Sequence, residues 1–189
     1  MVKIRKAYKV RLKTNDESEQ KLVRILGCAR FLWNKSLAMN LERLEKGQNL
    51  LWYPEQAFWL KLWKTSEEYG FLKDCPSQVL QQKLMDLDRA FKDCFDRSQP
   101  LKRLPVFKKR GRNDGMRFPQ GFKINNRRIF LPKIGWIGFY HSRPFVGKVK
   151  NITITQKAGR WYASIQVEQE IEIGIHPSPI SVGIDAGIK

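Results

Sequence analysis

The sequence predicts an α+β fold in which a basic β-structure carries an inserted block of helices. Three observations predict it: an alternating strand pattern at the amino terminus, several helical periodicities after it, and a later β-rich region that holds most of the positive charge. With 189 residues, of which 42% are hydrophobic, the chain is long enough for one sizeable domain or two small ones.

The first predicted strand occupies residues 1–13. Ile4, Tyr8, Val10 and Leu12 share one face, whereas Lys3, Arg5, Lys9 and Arg11 share the other. Because side chains alternate between the two faces of a strand, this pattern predicts a half-buried strand with a basic outer face. We interpret it as the first strand of a small β-barrel.

A helical insert of four helices is predicted over residues 14–97. The first helix should begin at Thr14-Asn15-Asp16-Glu17, which has capping-box spacing. Gly27 is expected to bend the chain and separate the first helix from the second. Pro54 and Pro76 suit the first turns of a third and a fourth helix, respectively.

The region 98–176 is predicted to be the basic β-barrel domain. From residue 97 to residue 160 the sequence has seventeen Lys or Arg and a single acid, Asp114; the remainder has nineteen basic and seventeen acidic residues. Of the net charge of +18, almost all therefore lies in this segment. Such an excess favours nucleic acid as the partner, with an anionic membrane as the weaker alternative.

Strand patterns recur within this basic region. Residues 148–155 and 161–168 are predicted to form a hairpin around the turn at 157–160, with shorter strands at 128–131 and 136–140. Together with the first strand, they could close into a barrel of a type that often binds nucleic acid.

An exposed loop is predicted over residues 101–117. Its basic run Lys108-Lys109-Arg110 is typical of an arm that follows a phosphate backbone. Phe107 could stack on a base or anchor the loop, and the sequence leaves both alternatives open.

Metal-binding patterns are weak in the sequence. Cys28, Cys75 and Cys94 form no CxxC pair, so we expect reduced thiols, neither a zinc site nor a disulfide framework. His141 and His176 have no partner at ligand spacing and are treated as ordinary residues. The alternating Glu168, Glu170 and Glu172 could belong to a metal site, but the solvent-exposed face of a strand is favoured.

The last thirteen residues, 177–189, are predicted to begin a separate domain after Pro177 and Pro179. Ile180–Ile184 has the composition of a short buried strand, and Asp185 follows it. On these residues alone, Asp185 is either a turn-capping residue or a metal ligand.

The ordered set of motifs resembles the TnpB (OrfB) family of insertion-sequence proteins, which are relatives of type V CRISPR effectors. The motifs are "LGCARFLWNKSLA" from Leu26, "LKRLPVFKKRGR" from Leu101, "IFLPKIGW" from Ile129 and "VGIDAGIK" from Val182, behind the basic first strand. The resemblance implies an RNA-guided DNA endonuclease with a wedge-like barrel, a helical recognition insert and a RuvC-type, RNase H-like nuclease domain. The expected partners are guide RNA and target double-stranded DNA.

By the resemblance, Asp185 is the first catalytic residue and metal ligand, on the first strand of a truncated RuvC-like domain. The complete family enzyme is expected to use Mg²⁺, which several converging carboxylates hold. Because the remaining carboxylates of such a site are missing from the sequence, we expect no bound cofactor and no DNA cleavage by this chain alone.

Two groups of nucleic-acid-binding residues are expected. Family positions that read a short duplex motif are matched by Tyr53, by Gln81 and, less clearly, by Gln120. Ser77 and Gln78 share the first helical turns with Gln81. A Gln side chain can pair with adenine. The alternative is that they are ordinary surface residues. Phosphate contacts are expected from Lys108, Lys109, Arg110, Arg112, Arg127 and Arg128.

Two other functions remain open from the sequence. The chain could work by itself as an RNA- or DNA-binding regulator, or it could be a basic barrel protein for structured RNA in which Asp185 is purely structural. No apolar run of membrane-spanning length or secretion signal is present in the sequence, and a soluble, cytoplasmic protein without a membrane partner is expected.

Overall fold

The computed structural model describes residues 2–111, 115–140 and 144–172, which form an α+β structure. The helical elements are α1 (Asp16–Glu45), α2 (Tyr53–Thr65), a short 3-10 helix (Gly70–Asp74) and α3 (Ser77–Phe95). The strands are β1 (Val2–Lys13), β2 (Gly115–Phe118), β3 (Lys123–Asn125), β4 (Arg128–Leu131), β5 (Gly135–Phe139), β6 (Lys148–Lys157) and β7 (Arg160–Ile171). Asp185 and the predicted RuvC-like strand lie outside the described residues, as does His176.

The helical block contains three α-helices in the described residues, not the predicted four. α1 begins with a capping box, in which Asn15 and Ser18 exchange side-chain-to-backbone hydrogen bonds. It then continues through Gly27, where a break was predicted. A glycine inside a helix costs about 1 kcal/mol, but the flanking Leu26 and Cys28 are buried, and their packing holds the helix intact.

The two later helices begin next to proline residues, as the sequence predicted. Pro54 lies in the first turn of α2, and Pro76 is the N-cap residue of α3. α3 buries an apolar stripe that includes Leu80, Leu84 and Leu87. Its last residue, Phe95, is 52% exposed, and its ring stacks on that of the buried Phe91.

The seven strands form one antiparallel sheet in the order β2-β6-β7-β1-β5-β4-β3. β1 joins its two halves, because Val2–Arg11 pairs with β7, whereas Leu12 and Lys13 pair with β5. In the described residues, the sheet is open, with β2 and β3 as its edges. The expectation of a closed barrel is therefore corrected: these edge strands have only four and three residues and do not pair with each other.

The predicted hairpin is confirmed. β6 and β7 form an antiparallel pair in which Lys157 lies opposite Arg160 next to the turn. The turn residues Ala158 and Gly159 both have positive φ angles, 48° and 71°, as a two-residue turn between twisted strands requires.

The larger of two apolar clusters in the described residues joins the sheet to the helices. On β7 the buried residues alternate, with Trp161, Ala163, Ile165 and Val167 inside. They pack in the same cluster as Leu22 and Leu32 of α1 and Leu84 of α3. One sheet face is thus covered, and the alternating residues of the strands point away from the core. Within the described residues, no helix is both long and apolar enough to cross a bilayer.

Candidate nucleic-acid interface

The amino-terminal half of β1 is neutralised by acidic residues of β7. Lys3 lies 3.7 Å from Glu170, and Arg5 lies 3.5 Å from Glu168, which also faces Lys150 of β6 at 3.1 Å. The hydrogen bond from Lys150, together with the charge of Arg5, lowers the pKa of Glu168. Glu168 and Glu170 thus have ion-pair roles on the outer strand face.

The carboxy-terminal half of β1 has a different environment. Lys9 lies over the ring of Tyr162 at 4.8 Å, and Arg11 and Lys13 lie over the ring of Tyr140 at 4.2 and 4.6 Å. Among the described residues, no carboxylate lies within ion-pair distance of these three cations. Aromatic rings orient a cation without cancelling its charge, so this end of β1 remains attractive to a polyanion.

A groove on the outer face of the sheet continues this basic surface. We call it the β5 groove; its lining residues are Lys13, Asn125, Asn126, Arg127, Arg128, Trp136 and Gly138. The register places Gly138 directly opposite both Lys13 of β1 and Arg128 of β4. Trp136 is 49% exposed, and its ring contacts that of Phe130 with centroids 5.6 Å apart.

Arg127 and Arg128 of this groove were predicted as phosphate contacts, but Lys13 and Trp136 were missed. The signal for Trp136 is present in the sequence, because it alternates with Ile137 and Phe139, which are buried. Its proximity to Lys13 depends on the pairing of β1 with β5 and has no local signal.

The basic loop is fixed to α1 by side chains from a single helical turn. Trp33 donates a hydrogen bond from Nε1 to the carbonyl oxygen of Val106 at 3.0 Å. Asn34 donates from Nδ2 to the carbonyl of Lys108 at 3.1 Å and accepts from its backbone N–H at 2.8 Å. The ammonium of Lys108 lies 4.2 Å from the centre of the Trp33 ring.

These contacts leave Lys109 and Arg110 exposed to solvent. Phe107 is 51% exposed, so the loop is anchored chiefly through Trp33 and Asn34 of α1. Arg112 lies outside the described residues.

The predicted recognition residues lie near the beginnings of α2 and α3. Tyr53 is half-buried, and its backbone N–H donates to Oδ1 of Asp88 in α3 at 3.0 Å. Asp88 follows Gln81 by seven residues, or two helical turns, so Tyr53 approaches the face of α3 that carries Gln81, about 10 Å further along. Gln81 is exposed and Gln78 is half-buried.

Ser77 has a cationic neighbour that was not predicted from the sequence. Its Oγ accepts a hydrogen bond from Nζ of Lys64 at 2.8 Å. Burial lowers the pKa of Lys64, and the nearby charge of Lys133 acts in the same direction, against the opposing influence of Cys75. Gln120 is exposed in the turn after β2.

A second basic groove separates α3 from the sheet. It contains Lys9, Lys83, Arg117 and Lys157. Lys83 is only 7% exposed; its Nζ donates to the carbonyl of Gly115 at 2.9 Å and lies 3.8 Å from Asp86. This lysine was missed as well, because its position in α3 resembles that of any polar helix residue.

No cluster of three or more His, Cys, Asp or Glu side chains suitable for a metal ion occurs among the described residues. The surfaces described above contain cations, amides and exposed aromatic rings. Such groups can hold phosphates and bases.

Comparison with known proteins agrees with these features. A family model described as a helix-turn-helix domain, of the OrfB type, matches residues 1–49, which in this structure are β1, the single helix α1 and the turn after it. The chain is 45% identical over 184 residues to "Putative RNA-guided DNA endonuclease InsQ" of Escherichia coli (strain K12), and the match covers 96% of this chain and 45% of that protein.

The chain is also 31% identical over 195 residues to a "Putative RNA-guided DNA endonuclease" of Streptomyces pristinaespiralis. This match covers all of this chain and 47% of the Streptomyces protein. The chain thus spans about half the length of the curated relatives it matches. The similarity extends over the strands and helices that carry the basic surfaces described above as well as over the matched amino-terminal segment, and the chain belongs to the TnpB (OrfB) family of insertion-sequence proteins.

Proposed function

We propose that this chain is the nucleic-acid-binding part of an RNA-guided DNA endonuclease, that it binds guide RNA and target double-stranded DNA, and that it does so in the cytoplasm. The observation that carries the proposal is the division of charge along β1. Glu168 and Glu170 neutralise one end, whereas Lys9, Arg11 and Lys13 at the other end face aromatic rings. A sheet face of this kind is suited to a polyanion.

The phosphate contacts come from two surfaces. One is the anchored loop, whose Lys108, Lys109 and Arg110 continue into Arg112; the other is the β5 groove with Arg127 and Arg128. Because these contacts go to the backbone of the nucleic acid, they fix its position without reading its sequence.

Sequence recognition is assigned to the helical block. Gln81 is exposed near the start of α3, where it could pair with adenine in the major groove. Tyr53, Ser77, Gln78 and Gln120 complete the proposed reading surface, in which Lys64 holds Ser77. The target is a short duplex motif beside the guided sequence.

Asp185 is proposed as the first ligand of a RuvC-type metal site. A site of this kind uses Mg²⁺ to activate water and to stabilise the leaving oxygen, and it needs several converging carboxylates. The described residues supply no such cluster, and we propose that Asp185 supports cleavage only together with further carboxylates.

The test is co-purification of the chain from its native host, followed by sequencing of the bound RNA and incubation of the complex with plasmid DNA and magnesium. A single RNA species from a transposon end, without plasmid cleavage, is the expected result. A heterogeneous RNA population that is lost at moderate salt would leave only a general basic binder and would overturn guide binding. Plasmid cleavage that Asp185→Ala abolishes would overturn the claim that the chain is catalytically incomplete.

A further inference from the structure

We infer that the β5 groove is a binding site for one unpaired nucleotide, whose base stacks on Trp136 while Lys13 and Arg128 hold the adjoining phosphates. The inference rests on the proposed function, because it assigns a specific single-stranded contact to a nucleic-acid-binding chain. The residues proposed to form this site are the lining residues of the β5 groove defined above.

The first argument is the exposure of Trp136. Its indole is 49% exposed on a sheet face whose other groove residues are charged or polar, so it is not part of the core. Phe130, its cross-strand partner on β4, contacts it at 5.6 Å with an interplanar angle of 59°. This contact holds the indole in place, and a fixed, exposed aromatic ring is the usual stacking platform for a base of single-stranded nucleic acid.

The second argument is the glycine at the floor of the groove. Gly138 is the fourth of the five residues of β5, and a glycine inside a strand weakens it. A Cβ atom at this position would approach the nearest atoms, Cβ and Cδ of Lys13, no closer than 3.5 Å, which is an ordinary contact. Packing within the protein therefore does not require a glycine at position 138. An open floor between Lys13 and Arg128, in contrast, does require one.

The third argument is the arrangement of charge on both sides of this floor. Lys13 on β1 and Arg128 on β4 each lie opposite Gly138, so they are two strand spacings apart, or about 10 Å. Arg127 adds a third cation in the turn before β4. Phosphates on either side of a base can thus meet cations while the base lies over the glycine.

The geometry favours an unpaired nucleotide over a duplex. Stacking on Trp136 needs a free base face, and base pairs in a duplex hide theirs. The side chains of Asn125 and Asn126 line the same groove and offer both hydrogen-bond donors and acceptors to a base edge or a ribose hydroxyl. Unpaired RNA and unpaired DNA share this chemistry.

The test measures binding of the full chain to a fluorescein-labelled single-stranded oligouridine, the matching oligodeoxythymidine and a labelled hairpin duplex. Trp136→Ala should weaken binding to both single strands about tenfold and binding to the duplex less than about twofold. Trp136→Phe should retain most of the affinity. Trp59→Ala is the matched control, because Trp59 is also partly exposed, at 39%, but lies on α2 outside the groove; it should bind as the unsubstituted chain does.

Gly138→Val provides a second, independent variant. It should fill the groove and weaken single-strand binding to a similar extent while the thermal unfolding midpoint stays the same or rises. Tighter binding of the RNA strand would assign the site to RNA, and tighter binding of the DNA strand to DNA. Unchanged single-strand binding in both Trp136→Ala and Gly138→Val would overturn the inference.

The two proposals can fail separately. If one guide RNA co-purifies but neither groove variant affects single-strand binding, the groove inference is wrong and the proposed function stands. If the groove variants weaken binding but no specific RNA co-purifies, the groove binds an unpaired nucleotide and guide binding is wrong.

Discussion

Asn34 of α1 and Lys108 of the basic loop exchange two hydrogen bonds across 74 residues of sequence. The carboxamide of Asn34 imitates a peptide group, since it donates to the carbonyl of Lys108 and accepts from its N–H. Together with the hydrogen bond from Trp33 to Val106, this pair fixes the loop segment to a helix. The fixed backbone directs Lys109 and Arg110 towards solvent, where a phosphate chain can reach them.

Asn34→Ala should release this loop. Loss of two partly buried hydrogen bonds should lower the free energy of unfolding by about 1 to 2 kcal/mol. Trypsin should cut after Lys109 and Arg110 several-fold faster, as followed by mass spectrometry of the native protein. Asn34→Asp, which keeps the acceptor but loses the donor, should be intermediate. Asn49→Ala, at an exposed position, is the control, and equal cleavage rates in all four proteins would contradict the anchoring role.

The exposed cations of the loop should contribute to affinity without selecting sequence. Removal of both Lys109 and Arg110 should reduce the slope of log affinity against log salt by about 0.7 to 0.9 for each lost phosphate contact. Affinity should fall equally for unrelated sequences. The measurement is a titration of labelled RNA at several salt concentrations.

Joint replacement of Lys3 and Arg5 by Ala is the charge-matched control for that titration, because Lys3 already faces Glu170 and Arg5 already faces Glu168. It should change the slope much less than the double loop substitution does. A slope that depends only on the number of cations removed, and not on their position, would show that the loop has no special role.

Gln81→Ala should weaken recognition of the duplex motif and leave RNA binding unchanged. A paired amide contact to adenine contributes about 1 to 3 kcal/mol of discrimination against the wrong base. The measurement compares binding of the guide complex to duplexes that differ only in this motif. Gln20→Ala, at an exposed position on α1, is the control. Equal discrimination with and without the Gln81 side chain would assign the reading to another residue.

The ion pairs of Glu168 should make the sheet sensitive to acid. Because Lys150 and Arg5 lower its pKa from the ordinary 4.5, the contribution of Glu168 to stability is complete above that value and is lost as the pH falls through the lower folded-state value. Glu168→Gln should therefore flatten the decline of the unfolding midpoint between about pH 5 and pH 3. Glu67→Gln should not, because the described residues offer Glu67 no ion pair.

The three cysteines should differ in reactivity. Burial raises the pKa of Cys75 and of Cys28, so little thiolate forms and access is blocked, whereas Cys94 is only half-buried. A thiol reagent at about pH 8 should modify one cysteine quickly in the native protein and the others only on unfolding. Cys94→Ser should abolish the fast phase, and rapid native modification of two or more cysteines would contradict this burial pattern.

Local sequence signals predicted most of the regular structure. The alternation in β1, the hairpin of β6 and β7 and the proline-led helices α2 and α3 all depend on residues close together in the chain, and each is present. The predicted helix break at Gly27 was wrong because it also used only a local signal. Burial of Leu26 and Cys28 on either side outweighs the low helix propensity of this glycine.

The candidate interface was less predictable, because it depends on contacts between distant segments. Arg127 and Arg128 stand out in the sequence through their charge, but the groove exists only because β1 pairs with β5 and brings Lys13 beside Gly138. The anchoring of Lys108 by Asn34 likewise has no signature in either segment. Residue type predicted which groups could bind nucleic acid, and strand register determined which of them lie together.

The pairing of β1 with β7 also governs when the protein can fold during its synthesis. Residues 2–11 reach their partners only after about 150 to 170 further residues have been added, which takes on the order of ten to thirty seconds on a ribosome. Throughout that interval, the nascent first strand has no partner at its β7 edge, while the helices between can already pack together. Pairing with β7 therefore acts as a closing step, and a chain released from the ribosome before residue 160 would keep this edge of β1 unpaired and prone to aggregation.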